Sequence, residues 1–110
     1  MRYSKQGNIY KVIRITGNQN NILGVCFTQE NNIALEVIEW PTNKNEPTLT
    51  SRDEVSMQVM SGLESINNCL KTNYKLSKIY FIPSESSSNS IYRVLIRKLI
   101  IHYHEGNQFK

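Results

Sequence analysis

Residues 9–40 read IYKVIRITGNQNNILGVCFTQENNIALEVIEW, and this stretch decides the fold. Ile9 to Thr16 is rich in β-branched residues, which suit a pleated, half-buried strand. Gly17-Asn18-Gln19-Asn20-Asn21 is turn chemistry, because Gly and Asn tolerate positive φ. Ile22 to Thr28 is a second strand, in which Leu23, Val25 and Phe27 alternate with Gly24, Cys26 and Thr28. Gln29-Glu30-Asn31-Asn32 has the length of a tight hairpin connection. Ile33 to Trp40 is a third strand, with Ile33, Leu35 and Val37 on one face and Glu36 interrupting the other. Pro41 ends it, since proline donates nothing to a ladder. The stretch therefore predicts a three-stranded antiparallel meander.

Downstream, 41–50 is a polar loop with two prolines. Ser51-Arg52-Asp53-Glu54 fits a capping box, and its two acids complement a helix N-terminus. Val55, Val59, Leu63, Ile66 and Leu70, with Met60 adjacent, repeat at helical spacing up to Lys71-Thr72-Asn73. Gly62 inside that helix costs roughly 1 kcal/mol relative to Ala, and a close helix–sheet contact would explain it. Lys75 to Pro83 is a fourth strand, and the serine-rich 84–90 is a loop. From about Ser90 to Glu105 apolar residues occupy more than one face of a second helix, which should be wedged between other elements. Gly106 terminates it, and Asn107 to Lys110 should fray. The order is β-β-β-α-β-α. It predicts one α+β domain over 1–110, with two helices on a four-stranded sheet and the fourth strand parallel to the third or the first.

Charge is segregated along the chain. Before Gln29 every charged side chain is basic: Arg2, Lys5, Lys11 and Arg14. From Gln29 to Glu64 the acids Glu30, Glu36, Glu39, Glu46, Asp53, Glu54 and Glu64 face only Lys44 and Arg52. Beyond that, Lys71, Lys75, Lys78, Arg93, Arg97, Lys98 and Lys110 face Glu85 and Glu105. A surface polarised in this way steers partners. The acidic set Glu30, Glu36, Glu39, Glu46, Asp53 and Glu54 is the first candidate for partner binding. The basic set Lys71, Lys75, Lys78, Arg93, Arg97 and Lys98 is the alternative, with Tyr74, Tyr80 and Phe81 interleaved for base stacking. The net charge of +4 admits nucleic acid, although no block of five like charges occurs.

Motifs for catalysis are missing from the sequence. The element order overlaps the opening of the ribonuclease H fold, but the first strand has no acid and Asp53 is the only aspartate, which argues against a two-metal site. His102 and His104, two residues apart on a helix, point in different directions and cannot easily share a metal. The serine-rich 84–90 carries neither a nucleophile elbow nor a phosphate-binding lysine motif. Cys26 and Cys69 read as buried small hydrophobes. No apolar run is long enough to span a membrane and the N-terminus has no apolar signal segment, so a cytoplasmic chain without metal or cofactor is expected.

Three segments then carry a resemblance: Ser51-Arg52-Asp53-Glu54-Val55 opening a helix, Tyr80-Phe81-Ile82-Pro83-Ser84, and Ser90-Ile91-Tyr92-Arg93 leading into Ile101-His102-Tyr103-His104-Glu105-Gly106. Together with abundant Asn, Ile and Lys and a single alanine, Ala34, this resembles the immunity proteins of bacterial contact-dependent growth inhibition systems. The resemblance covers roughly residues 50 to 106. It implies a cytoplasmic, non-catalytic protein that binds one cognate toxin domain, often a nuclease, and blocks its activity. Two dockings are open: the acidic patch against a basic toxin, or Arg93, Arg97 and Lys98 against an acidic surface. The alternative is a small basic nucleic-acid-binding protein.

Overall fold

Seven elements form in the computed structural model, which describes residues 1–16, 19–31, 33–40, 52–82 and 91–110. They are β1 (Arg2–Gln6), β2 (Ile9–Thr16), β3 (Gln19–Thr28), β4 (Glu36–Glu39), α1 (Arg52–Leu70), β5 (Lys75–Phe81) and α2 (Ile91–His104). The strands make one mixed sheet in the order β1-β2-β3-β5-β4. This is the expected α+β class, with five strands instead of four.

The extra strand is β1. Its residues Arg2, Tyr3, Ser4, Lys5 and Gln6 show no apolar alternation, so composition gives no strand signal. A two-residue turn makes it: Gln6 pairs with Ile9, and Gly7 between them adopts φ 59°. A glycine at the first turn position matches the strand twist that tight hairpins need. The last residues dock on this strand and do not fray. The Lys110 amide donates to the Tyr3 carbonyl at 3.0 Å, and Phe109 packs edge-on against Tyr3 and Tyr10.

The expected third strand is corrected in length and in place. Only Glu36–Glu39 is strand, and it pairs in parallel with β5, not antiparallel with β3. β5 takes the slot beside β3 instead. The physical reason is burial: β5 buries Leu76, Ile79 and Phe81, whereas β4 begins and ends on exposed glutamates that need an edge. The 29–32 segment is thus no hairpin: the Glu30 amide donates to the Thr28 hydroxyl at 3.1 Å as the chain turns away, and residue 32 lies outside the described residues. The parallel relation of the strands flanking α1 is as expected. A bulge at Ser77 shifts the β3–β5 register, with Cys26 opposite Lys78 but Phe27 opposite Leu76.

Both helices cover one face of the sheet. Val55, Val59, Leu63 and Ile66 of α1 and Ile91, Tyr92, Leu95, Ile96, Leu99 and Ile100 of α2 close over Val12, Leu23, Val25, Ile79 and Phe81. As its wide apolar sector predicts, α2 packs against both α1 and the strands β2 and β3. Gly62 is explained by a helix–helix contact, not a helix–sheet one. A Cβ there would stand 2.5 Å from Ile96 Cγ2 and 2.7 Å from the Arg93 carbonyl oxygen.

The two helices end alike. At α1, Lys71 takes φ 55° and the Thr72 amide reaches the Asn67 carbonyl at 3.0 Å; at α2, Gly106 takes φ 75° and the Asn107 amide reaches the His102 carbonyl at 3.2 Å. The expected capping box at Ser51 and the loops 41–50 and 84–90 lie outside the described residues. No helix among the described residues is long and apolar enough to cross a membrane.

Candidate interaction surfaces

The second face of the sheet is covered by no described helix or strand. Alternation along β2, β3, β4 and β5 sends Ile9, Lys11, Ile13, Ile22, Cys26, Ile38, Lys78 and Tyr80 to it, opposite the core residues with which they interleave. Trp40 organises this face. Its amide donates to the Phe81 carbonyl at 2.9 Å, and its indole stacks on Tyr80 with centroids 5.4 Å apart and planes 22° from parallel. The indole then lies over β3 at Gly24, where a Cβ would stand 3.0 Å from both Trp40 Cη2 and Ile9 Cγ2. Lys11 on β2 meets the ring from the far side, its Nζ 5.3 Å from the ring centre, while donating to Gln6 Oε1 at 2.6 Å. One aromatic side chain from an edge segment thus spans three strands.

The acidic candidates do not gather. Glu36 occupies the second face, in register with Lys78. Glu39 lies three residues on, roughly 10 Å further along β4 and on the opposite face. Glu30 follows the C-terminal end of β3, Asp53 is exposed in the first turn of α1, and Glu46 lies outside the described residues. Glu54 has a structural role. Gln58 Nε2 is 3.5 Å from Glu54 Oε1, and Gln58 Oε1 accepts the Tyr92 amide at 3.0 Å, satisfying a free N–H at the start of α2. The Tyr92 hydroxyl donates to the Ile82 carbonyl at 3.2 Å. Burial, with the Glu54 charge nearby, pushes the Tyr92 phenol up to about 12.

Among the basic candidates the bulge decides the grouping. Without it Lys75 and Lys78 would point to opposite faces; the extra residue at Ser77 returns both to the second face. Lys71 serves as the left-handed cap of α1. Arg93 and Arg97 lie one turn apart on α2 and are half-buried, and Arg97 Nε is buried with no partner among the described residues. Lys98, about 100° further round the helix, is exposed.

Sequence reading did not foresee the aromatic cluster at the end where β3 and both helices finish. Tyr10, Phe27, Tyr74, Tyr103 and Phe109 meet there, with Phe27 and Tyr103 centroids 4.6 Å apart and Tyr10 edge-on to Tyr103 at 5.2 Å. Their spacing in sequence carries no motif, since five different segments supply them. Asn67 fixes one of them: its side chain donates to the Tyr74 carbonyl at 3.1 Å and accepts from the Tyr74 amide at 3.0 Å and the Thr72 hydroxyl at 2.8 Å. The two histidines diverge, as their spacing requires. His102 stacks on Tyr3 at 3.7 Å and bonds the Gln108 carbonyl, while His104 Nδ1 meets the Tyr74 hydroxyl at 2.8 Å. Among the described residues no three of His, Cys, Asp and Glu come together.

Cys26 and Cys69 are free thiols. Cys69 is exposed, against expectation, because it falls on the outer side of α1's last turn. Burial pushes the Cys26 thiol up, partly opposed by Lys78 and a hydrogen bond from Tyr80. No family model, curated protein or solved structure matches this chain.

Proposed function

We propose that this chain is a non-catalytic, toxin-neutralising immunity protein that blocks one cognate toxin domain, a nuclease, by docking it on the second face of the sheet. The observation that carries the reading is the Trp40–Tyr80–Lys11 arrangement among half-buried isoleucines, on a face that no described element covers. Aromatic anchors in an apolar surround are what concentrates binding energy in protein interfaces. Arg2, Lys11 and Lys78 outnumber Glu36 on this face, so it suits a partner surface bearing carboxylates. The resemblance in 50–106 to immunity proteins supplies the class of partner. This reading moves the docking surface away from the dispersed acids Glu30, Glu39, Asp53 and Glu54.

The test is growth protection. The C-terminal domain encoded by the neighbouring upstream gene is expressed with this chain or its variants. The chain should relieve growth arrest; Trp40→Ala and Lys11→Glu, checked for folding by circular dichroism, should not. Glu39→Lys should protect as well as the parent. Protection that survives both Trp40→Ala and Lys11→Glu removes the sheet face from the mechanism. A neighbouring domain that arrests growth regardless of this chain removes the immunity reading.

A further inference from the structure

The aromatic end of the molecule carries a second site. A cleft of about 500 Å³ is lined by Phe27, Tyr74, Tyr103, Lys75 and the polar Gln29 and Asn73. A second, of about 400 Å³, is lined by Tyr10, Cys26, Lys5, Lys78, Asn8 and Ser77 and shares Phe27 and Tyr103 with the first. Both volumes fall within the range of roughly 300–1,000 Å³ that holds an organic ligand. The two clefts adjoin at Phe27 and Tyr103 and together make up a groove at the end of the sheet.

Its chemistry is that of aromatic faces beside fixed cations. Lys5 Nζ stands 4.9 Å from the Tyr10 ring centre, and Lys75 Nζ bonds Asn31 Oδ1. Among the described residues no acid lines either cleft. The opposing charges beside it are Glu36, in register with Lys78, Glu30, next to Gln29, and the C-terminal dipoles of α1 and α2, each equivalent to about half a negative charge. Lys5, Lys75 and Lys78, with Lys71 at the end of α1 as a fourth, exceed them. Aromatic stacking surfaces along a cationic groove are the components of sequence-tolerant single-strand binding. Duplex presents no free base face to such rings.

We propose that this groove binds single-stranded nucleic acid, with bases against Tyr74 and the Phe27–Tyr103 pair and phosphates on Lys5, Lys75 and Lys78. This site does not depend on the sheet-face docking: Lys78 borders both surfaces, but Trp40 and Lys11 line neither cleft.

Fluorescence anisotropy with a labelled oligothymidylate of ~12 nucleotides tests it. Binding should weaken from about 50 to 200 mM salt with a log–log slope near −2, as about three phosphate contacts on a single strand require. The Lys5→Glu/Lys75→Glu/Lys78→Glu triple variant should bind about tenfold more weakly or worse. Tyr74→Leu should lose about fivefold or more, and Tyr74→Phe should keep the affinity because the ring face remains. An abasic strand of equal length, tested on the unaltered protein, should bind more weakly than the oligothymidylate. No binding at the lower salt, equal binding to the abasic strand, or full affinity in a folded triple variant would overturn the proposal.

Discussion

The two faces of the sheet are built from the same strands and nearly the same residue types, yet they are buried to different extents. Toward the helices Val12, Leu23, Val25, Ile79 and Phe81 are fully buried, at 0% exposure. On the other side Ile9, Ile13, Ile22, Ile38, Tyr80 and Trp40 are only half-buried. An antiparallel sheet that packs on one side usually turns polar residues to water on the other. Here the side away from the helices keeps β-branched and aromatic residues and adds a stacked indole. No described helix accounts for that arrangement, which is why this face, and not the acidic stretch, is the better place to look for a partner.

The sharpest way to break this contrast is to truncate neighbours that differ only in face. Phe81→Ala, on the covered side, should cost about 3–5 kcal/mol in urea unfolding, because it leaves a cavity under α1 and α2. Tyr80→Ala, one residue earlier, should cost about 1 kcal/mol, chiefly the lost stack with Trp40. Equal costs would mean that the second face is as much a core as the first, and the proposed docking surface would lose its basis.

The helix layer that creates the difference hangs on Gly62. Gly62→Ala gains up to about 1 kcal/mol of helix propensity but drives a Cβ to within 2.7 Å of backbone on α2. The Arg93 carbonyl cannot swing aside as a side-chain tip can, so overpacking should win and leave a net loss of about 1–2 kcal/mol. A variant as stable as the parent would show that α1 and α2 can move apart at this contact at little cost.

Both helices, the terminating Gly106 and the parallel strand pair around α1 were legible, because each follows from local periodicity or from a connection rule. The placement of β4 was not. Glu36-Val37-Ile38-Glu39 has the same strand propensity wherever it sits, and only the stronger burial of Leu76, Ile79 and Phe81 decides that β5 separates it from β3. β1 escaped for the opposite reason: its pairing comes from the Gly7 turn and the docked C-terminus, not from its own residues. Of the candidate sites, the pairing of Lys75 with Lys78 depends on a bulge that alternation hides, and the aromatic groove on contacts between distant segments. Segregated charge in sequence did not become segregated charge in space, because the acidic residues are spread over the end of β3, the edge strand β4 and the first turn of α1.

The subtlest probe of the covered face is pH, acting through Tyr92. Its ring packs edge-on to Phe81 and its hydroxyl donates to the Ile82 carbonyl, so the neutral phenol is part of the junction between α2 and the sheet. Burial, with Glu54 adding repulsion, raises its pKa from 10.0 to about 12. The unfolded chain therefore releases this proton first as pH rises. Between pH 10 and 12 the folded state holds more protons than the unfolded one, so stability falls with pH; below pH 10 the contribution is complete. The total is on the order of 2 kcal/mol, from two pH units at about 1.4 kcal/mol each less some residual solvation. Tyr92→Phe should flatten that loss and also cost about 1 kcal/mol at neutral pH through the missing bond to Ile82. If Tyr92→Phe kept the full alkaline loss, that loss would arise elsewhere and the burial of this phenol at the junction of α2 and the sheet would fall.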